Sequence, residues 1–491
     1  MINRALRLGL LSLVVALFSY VQSRMLTHVA GAGATLDAYY LAMTLPMAVV
    51  AVVGLLTDAL LVPAFVRELE EFGHVRAVAG AVAIGAVVVA VCVTVTAPMS
   101  VWLHFWPGTA LGTDSSWLLF MSLGALAYGV SFVLRSLYIA LQQPDVFVWS
   151  QVASGVAFVV PLALVPRGDI VWFGLLFLAS GLAQLAVCTG AMFLRGLRPR
   201  IGFSGWPGDA LVHVRTGLLA SAVAVGILQV NVAVDRWFAA GLGAGVVTDY
   251  FIADKIVGMV MAIIATAIGM SVFPELASRR HHEANALASD AAVTLVFVLG
   301  PISAAMWVFS PQVIALLFGG GRFTPQAVAQ TAGLLKILSL SLVPIGLVYV
   351  LPRRLQGVGA YWTHAALSVL LMAVNLGGKL LLIPFEGVAA LASATVIAYF
   401  VAAGAYGAVL SHLGLWRLRR ANVRDIVAVV ASAFLAAAVL TPFQGMVTPL
   451  VGSIVAIACV GVLWLAAFAL RVEPAVKVAK GFMRRRDDAE R

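Results

Sequence analysis

Long apolar runs, each about as long as a bilayer is thick, follow one another along the chain with short polar connections between them. A hydrocarbon core about 30 Å thick requires about 20 apolar residues in helical form. The runs lack the alternation of apolar and polar positions that is typical of β-barrel strands. Because backbone amides in lipid must be bonded within their own segment, each run predicts a transmembrane helix.

The pattern predicts an all-α polytopic membrane protein with fourteen transmembrane helices. The first run follows Arg4 and Arg7, as in a signal peptide, but it continues to about Val29 and predicts a retained helix. The predicted spans are 5–29, 37–66, 78–104, 116–142, 145–166, 170–194, 216–240, 247–273, 291–318, 327–351, 361–383, 387–411, 425–446 and 447–470.

Composition agrees with lipid as the solvent. The chain is 62% hydrophobic and 11% charged, whereas soluble domains carry about 25% charged residues. The net charge of +10 is spread between the apolar runs, so it does not indicate a nucleic-acid partner. The three cysteines lie inside apolar runs and predict neither a disulfide framework nor a metal site. No nucleotide-binding or catalytic motif is present, and we expect neither a cofactor nor an enzyme activity.

The loop charges predict the orientation. Of the 31 Lys and Arg residues, 23 fall in the termini and even-numbered loops, six fall inside spans, and only Arg167 and Arg322 fall in odd-numbered loops. Lys and Arg concentrate on the cytoplasmic side of membrane proteins. Both termini are therefore predicted to be cytoplasmic, and the basic C-terminal tail is interpreted as a topology anchor.

An internal repeat occurs at an offset of 212 residues. Six helices separate the two copies, so both have the same orientation. The repeat predicts two pseudo-symmetric six-helix lobes, residues 1–200 and 201–415, with helices 13 and 14 and the tail in 416–491. Parallel lobes of this kind enclose a central cavity in many transporters. The matching residues are Arg24, Gly31, Gly33 and Asp37 in the first copy and Arg236, Gly243, Gly245 and Asp249 in the second.

Cations inside the spans are candidates for anion binding, since charges at membrane depth usually face a cavity or a partner. Arg24 lies late in span 1, where it either lines the cavity or extends to the interface. Lys255, in span 8, is predicted at a similar depth, so the two could share a diphosphate with Arg236 in support. The alternative for Lys255 is pairing with Asp254, Asp235 or Asp249. Lys379 is expected to reach the outer interface.

The carboxylates divide into two groups. Asp58, Asp235 and Asp254 are candidates for ion coupling or for pairing inside the membrane. Asp37 and Asp249 follow Gly-x-Gly turns, formed by Gly31 and Gly33 and by Gly243 and Gly245. We expect these six residues to serve as structural turns and helix caps.

Three ordered stretches, in residues 18–65, 229–279 and 317–384, resemble the MurJ (MviN) lipid II flippases of the multidrug/oligosaccharidyl-lipid/polysaccharide exporter superfamily. The resemblance implies fourteen helices in two lobes, a cationic cavity, a groove formed with helices 13 and 14 for a polyprenyl tail, and alternating access driven by ions or membrane potential. Arg24 matches the family's essential arginine, and Lys255 falls where the family usually has arginine. The chain departs from the family in helix 2, where residues 47–53 lack the usual arginine pair.

The resemblance implies a flippase that carries a polyprenyl-diphosphate-linked glycan, with peptidoglycan lipid II first, from the cytoplasmic to the outer leaflet of the bacterial inner membrane. The expected partners are this substrate, membrane lipids and a coupling ion, either a proton or sodium, and a monomer is expected to function. The alternatives are a flippase for another undecaprenyl-linked exopolysaccharide or O-antigen unit, a drug/cation antiporter, and a non-transporting membrane scaffold.

Overall fold

The structure, a computed structural model, describes residues 2–56, 116–196, 208–271, 281–416 and 448–469, single positions 62 and 65, and scattered positions between 424 and 442. Within these ranges the chain is helical, apart from one isolated β-bridge between Gly320 and Phe323. The helices are α1 Ile2–Ala30, α2 Ala34–Leu56, α3 Ser116–Ala140, α4 Asp145–Leu164, α5 Ile170–Leu194, α6 Gly208–Gly241, α7 Val246–Ser271, α8 His281–Phe318, α9 Pro325–Ser339, α10 Leu342–Gly357, α11 Tyr361–Glu386, α12 Ala389–His412 and α13 Pro449–Ala469.

The prediction of an all-helical membrane protein is confirmed. Among the described residues nine helices are long and apolar enough to cross a bilayer, or ten if α9 and α10 form one span. The predicted limits 145–166 and 170–194 agree closely with α4 and α5. The predicted span 78–104 lies outside the described residues, and 425–446 contains only scattered described positions. The total of fourteen therefore stays a prediction.

The chain divides into two compact units. The first contains Met1–Thr248 and Gly320–Thr324, and the second contains Asp249–Gly319 and Pro325–Arg491. The predicted lobe limits of 1–200, 201–415 and 416–491 stay a prediction.

In the first unit, α5 packs against α3 and α4, α1 packs against α4, and α2 packs against α3 and α6. Glycines allow α3 and α5 to approach closely: a Cβ atom added to Gly181 would lie 2.6 Å from the carbonyl oxygen of Gly124. In lipid, helices associate through close packing and hydrogen bonds, and small residues allow their backbones to approach closely enough for this. Tyr128 of α3 adds hydrogen bonds of 2.8 Å to Ser154 of α4 and Ser180 of α5.

In the second unit, α11 packs against α12, while α8 packs against α9, α10 and α13. Two of its elements are bent. Helix α8 has a kink at Phe309, just before Pro311, as expected where proline removes a helix hydrogen bond. Helices α9 and α10 meet at 47°, and the Ser303 hydroxyl donates a 2.7 Å hydrogen bond to the Ser339 carbonyl at this break. The sequence predicted one unbroken span, 327–351, in this region.

Candidate functional site

Arg24 lies on an exposed face of α1, six residues before the helix ends at Ala30. Its guanidinium Nη1 donates a 3.0 Å hydrogen bond to the hydroxyl of Tyr20, one turn earlier. His28, one turn later, is exposed as well, so the three side chains follow one side of the helix. An arginine exposed on an apolar helix must face either lipid or an aqueous cavity, and the first is costly. This position suits a ligand for an anion.

Arg236 forms hydrogen bonds between helices that the sequence did not predict. Its Nη1 donates to the hydroxyl of Thr44 at 2.6 Å and to the carbonyl oxygen of Tyr40 at 3.1 Å. Both acceptors belong to α2, 192 and 196 residues away in the chain. The guanidinium therefore bonds α6 to α2 within the first unit. Helix α6 carries the candidate Asp235, and α2 carries Asp37.

Three predicted charged residues occupy different environments. Asp235, on α6 in the first unit, is buried and 5% exposed. Asp254 and Lys255 lie on α7 in the second unit, where Asp254 is exposed and Lys255 is half-buried with Nζ 5.7 Å from the centre of the Phe251 ring. Arg24 and Lys255 thus belong to different units, and their sharing of one anion stays a prediction. Asp58 lies outside the described residues.

Asp37 joins two turns of the internal repeat. Its carboxylate accepts hydrogen bonds from the backbone N–H of Gly245 at 2.5 Å, the backbone N–H of Thr248 at 2.8 Å and the hydroxyl of Thr248 at 2.6 Å. These donors lie at the start of α7, where the first N–H groups of a helix have no partner within it. Asp37, although it stands in the first turn of α2, therefore caps α7.

The other turn residues also have structural surroundings. Gly31, Gly243 and Gly245 have φ angles of +73°, +129° and +91°, which favour glycine, whereas Gly33 is not among the residues with positive φ. Asp249, the repeat counterpart of Asp37, is buried in the second unit and accepts a 2.9 Å hydrogen bond from the Thr331 hydroxyl. The roles of these residues in turns and caps stay a prediction.

The expectation that Lys379 reaches the interface is wrong. Its side chain is 0% exposed, and Nζ donates a 2.7 Å hydrogen bond to Oδ1 of Asn375. Thr395 donates to the same oxygen at 3.3 Å and exchanges a 3.1 Å hydrogen bond with Tyr250. The hydropathy of an apolar helix does not show which of its faces is covered by neighbouring helices. The second unit therefore contains a buried cation bonded to Asn375 on α11, and the bond from Thr395 to Asn375 joins α11 to α12.

No group of three or more His, Cys, Asp or Glu side chains in the described parts of the chain is arranged to hold a metal ion. The candidate positions carry the cationic side chains of Arg24, Arg236 and Lys255 and the carboxylates of Asp235 and Asp254. Anion binding at the cationic side chains stays a prediction.

The profile of the family described as lipid II flippase MurJ matches residues 26–468. The chain belongs to the MurJ family.

The chain is 28% identical over 287 residues to a relative from Rhizobium meliloti that is named probable lipid II flippase MurJ, an alignment of 56% of this chain and 52% of that one. The chain spans about half the length, or less, of the curated relatives it matches.

Solved structures show the same fold. A lipid II flippase MurJ in an inward closed conformation has a TM-score of 0.74 at 13% identity, with 94% of this chain and 98% of that chain covered. An inward-facing multidrug transporter of the MATE family and MOP superfamily has a TM-score of 0.67 at 15% identity, with 84% and 95% covered. The protein is therefore a multi-pass membrane protein of the MurJ family.

Proposed function

We propose that this MurJ-family protein moves a polyprenyl-diphosphate-linked glycan, with lipid II as the first candidate, from the cytoplasmic to the outer leaflet by alternating access. The observation that carries the proposal is the exposed guanidinium of Arg24 on a membrane-spanning helix of a chain that matches the lipid II flippase family over residues 26–468. A planar guanidinium can donate two parallel hydrogen bonds to a phosphate group.

Arg24 and Lys255 are assigned to the diphosphate in this proposal. Arg236 acts as a positioning residue, because its contacts with Tyr40 and Thr44 hold α6 against α2. The glycan headgroup travels through an aqueous cavity while the polyprenyl tail stays in lipid. The loop charges orient both termini towards the cytoplasm. Asp235 and Asp254 are the candidates for coupling to a proton or sodium ion, with Asp58 a third.

A second substrate has a specific observation in its favour. Residues 47–53 carry no charge, whereas the family resemblance implies an arginine pair in this part of helix 2. Fewer cations along the cavity reduce the attraction for a highly charged headgroup. Another undecaprenyl-diphosphate glycan, such as an exopolysaccharide or O-antigen unit, is therefore the second candidate.

The test is transport by the purified full-length chain in vesicles. Fluorescent lipid II is placed in both leaflets, and its inward or outward movement is followed by its accessibility to a membrane-impermeant quencher. We expect transport by the wild type and by Arg353→Gln, a matched exposed arginine bonded to Gln356. Arg24→Ala is expected to abolish transport, and Arg24→Lys to retain part of it because the charge is kept.

Equal transport by Arg24→Ala and the wild type would remove Arg24 from the substrate site. A wild-type protein that moves an undecaprenyl-diphosphate oligosaccharide but not lipid II would favour the second substrate. A protein that moves neither, in vesicles in which it is shown to be folded, would contradict the proposed function.

A further inference from the structure

The loop between α8 and α9 docks on the end of α1. The backbone N–H of Arg322 donates a 2.9 Å hydrogen bond to the carbonyl oxygen of His28. Phe323, which is 2% exposed, anchors the loop, and its N–H bonds to the Gly320 carbonyl at 3.2 Å. Residues 320–324 belong to the first compact unit together with α1, although the helices on either side of the loop belong to the second.

Glycines allow this approach. A Cβ atom on Gly321 would lie 2.5 Å from the His28 carbonyl oxygen, and one on Gly31 would lie 2.5 Å from the Arg322 carbonyl oxygen. Both contacts are too short for any side chain, so the backbone of the loop lies directly on the end of α1. The position of the Arg322 backbone is therefore set by main-chain contacts and does not depend on the charge of its guanidinium.

The guanidinium of Arg322 lies against the connection between α4 and α5. Its Nη1 is 3.4 Å from the place of a Cβ atom on Gly168, the residue after Arg167. Arg167 and Arg322 are the two cations that the loop charges place on the outer side, and the structure brings the segments that carry them together. Both side chains are exposed, as is that of His28.

The nearby carboxylate of Asp169 has a hydrogen-bond partner of its own. Asp169 caps α5 by accepting a 2.8 Å hydrogen bond from the backbone N–H of Trp172. Neither Arg167 nor Arg322 forms an ion pair with a carboxylate among the residues that the structure describes. The end of α1 therefore presents an exposed cluster of His28, Arg167 and Arg322, which carries the charges of two arginines and which we term the outer cluster.

The outer cluster continues the polar side of α1. His28 stands one turn beyond Arg24, which is about 6 Å along the helix axis at about 1.5 Å per residue. Without the outer cluster, an anion that moves from Arg24 towards the outer surface would have no positively charged partner beyond Arg24 on this side of α1. A second group of cations at the end of the same helix gives it a new partner before it reaches water, and arginine suits phosphate oxygens.

We propose that His28, Arg167 and Arg322 form a second phosphate-binding position, which receives the lipid-linked phosphate of the substrate from Arg24 before release to the outer leaflet. This assignment rests on the proposed function. The ligand is a phosphate group on a lipid anchor, and two sources share that chemistry: the diphosphate of the transported substrate and the headgroups of bulk anionic lipids.

The test compares transport rates of the full-length chain in vesicles of zwitterionic lipid, with and without added phosphatidylglycerol. Arg322→Gln is expected to lower the maximal transport rate about fivefold, which is the effect of about one exposed charge contact. The substrate concentration for half-maximal rate should change little, because the variant affects release and not capture. Arg322→Lys should keep most of the rate, and Arg167→Gln combined with Arg322→Gln should lower it further.

Arg353→Gln is the matched control, since Arg353 is an exposed arginine outside the outer cluster, and its rate should equal that of the wild type. The loss in Arg322→Gln should be the same in both kinds of vesicle and should shrink with added salt, as expected for an exposed contact. The unfolding temperature of Arg322→Gln should equal that of the wild type, because the main-chain bond to His28 is kept.

Four results would overturn the assignment. The first two are a wild-type transport rate in Arg322→Gln and a loss of rate in Arg322→Gln no greater than in Arg353→Gln. The third is a loss in Arg322→Gln that disappears in purely zwitterionic vesicles, which would assign the cluster to bulk anionic lipid. The fourth is a lowered unfolding temperature of Arg322→Gln, which would make Arg322 structural. A wild-type chain that moves no lipid diphosphate would instead refute the proposed function, and the assignment with it.

Discussion

The carboxylate of Asp37 offers the sharpest test of the structure in the first unit. It is 6% exposed and accepts three hydrogen bonds from Gly245 and Thr248 at the start of α7. A hydrogen bond to a charged group contributes about 1.5 kcal/mol or more, and a buried donor left without an acceptor adds a further cost. Asp37→Ala should therefore lower the free energy of unfolding by about 4 kcal/mol, even though such contributions are not strictly additive.

Asp37→Asn removes the negative charge of the side chain but keeps one oxygen that can accept a hydrogen bond. The amide keeps one oxygen, so it can still accept from Thr248, but its NH₂ group would face the N–H of Gly245. We expect about half the loss of the alanine variant, since one acceptor remains and the interaction of a negative charge with the helix N-terminus is removed.

The assay is thermal unfolding of the purified protein in one detergent, at one heating rate, followed by tryptophan fluorescence. Asp169→Ala is the matched control, because Asp169 is an exposed cap with a single bond to the N–H of Trp172. Its loss should be about 1 kcal/mol. Unfolding temperatures for Asp37→Ala at or above that of Asp169→Ala would refute the reasoning.

Three further predictions concern packing, the buried cation and topology. Gly181→Val should destabilise the chain by about 2 kcal/mol through overpacking against Gly124. Gly190→Val on the same helix, where a Cβ atom would meet nothing within 4 Å, should have little effect. Unfolding temperatures compare the two variants, and equal losses would contradict the close packing of α3 and α5. Asn375→Ala should cost about 2 kcal/mol, because it removes the acceptor of the buried Lys379 ammonium, and an unchanged unfolding temperature would argue against that bond. In a cysteine-free background, Arg322→Cys should react with an impermeant thiol reagent added outside intact cells and Arg353→Cys should not, while the reverse result would invert the topology.

The sequence predicted what depends on length and local chemistry. A helix in lipid must be about 20 residues long, so the apolar runs located α4 and α5 within two residues. Gly31 and Gly243, which the repeat predicted as turn residues, have φ angles of +73° and +129°, a region that favours glycine, and their roles stay a prediction. Family membership followed from the same ordered residues and is confirmed by the match over residues 26–468.

The sequence could not predict contacts between distant segments. Asp37 was expected to cap a helix, but its partners stand 208 and 211 residues away, a distance that no local pattern encodes. The partners of Arg236 lie 196 and 192 residues away, and the burial of Lys379 depends on which neighbouring helices cover it, so neither was predicted. The break between α9 and α10 was missed although Pro344, in the first turn of α10, is a sequence signal for a helix boundary.

The most direct test of the account is depletion of the protein in its own cells, followed by identification of the lipid-linked glycans in each leaflet. We expect the undecaprenyl-diphosphate precursor of peptidoglycan to accumulate facing the cytoplasm, and this accumulation to be reversed by the wild-type chain but not by Arg24→Ala. An unchanged distribution of every undecaprenyl-diphosphate glycan after depletion would contradict the account.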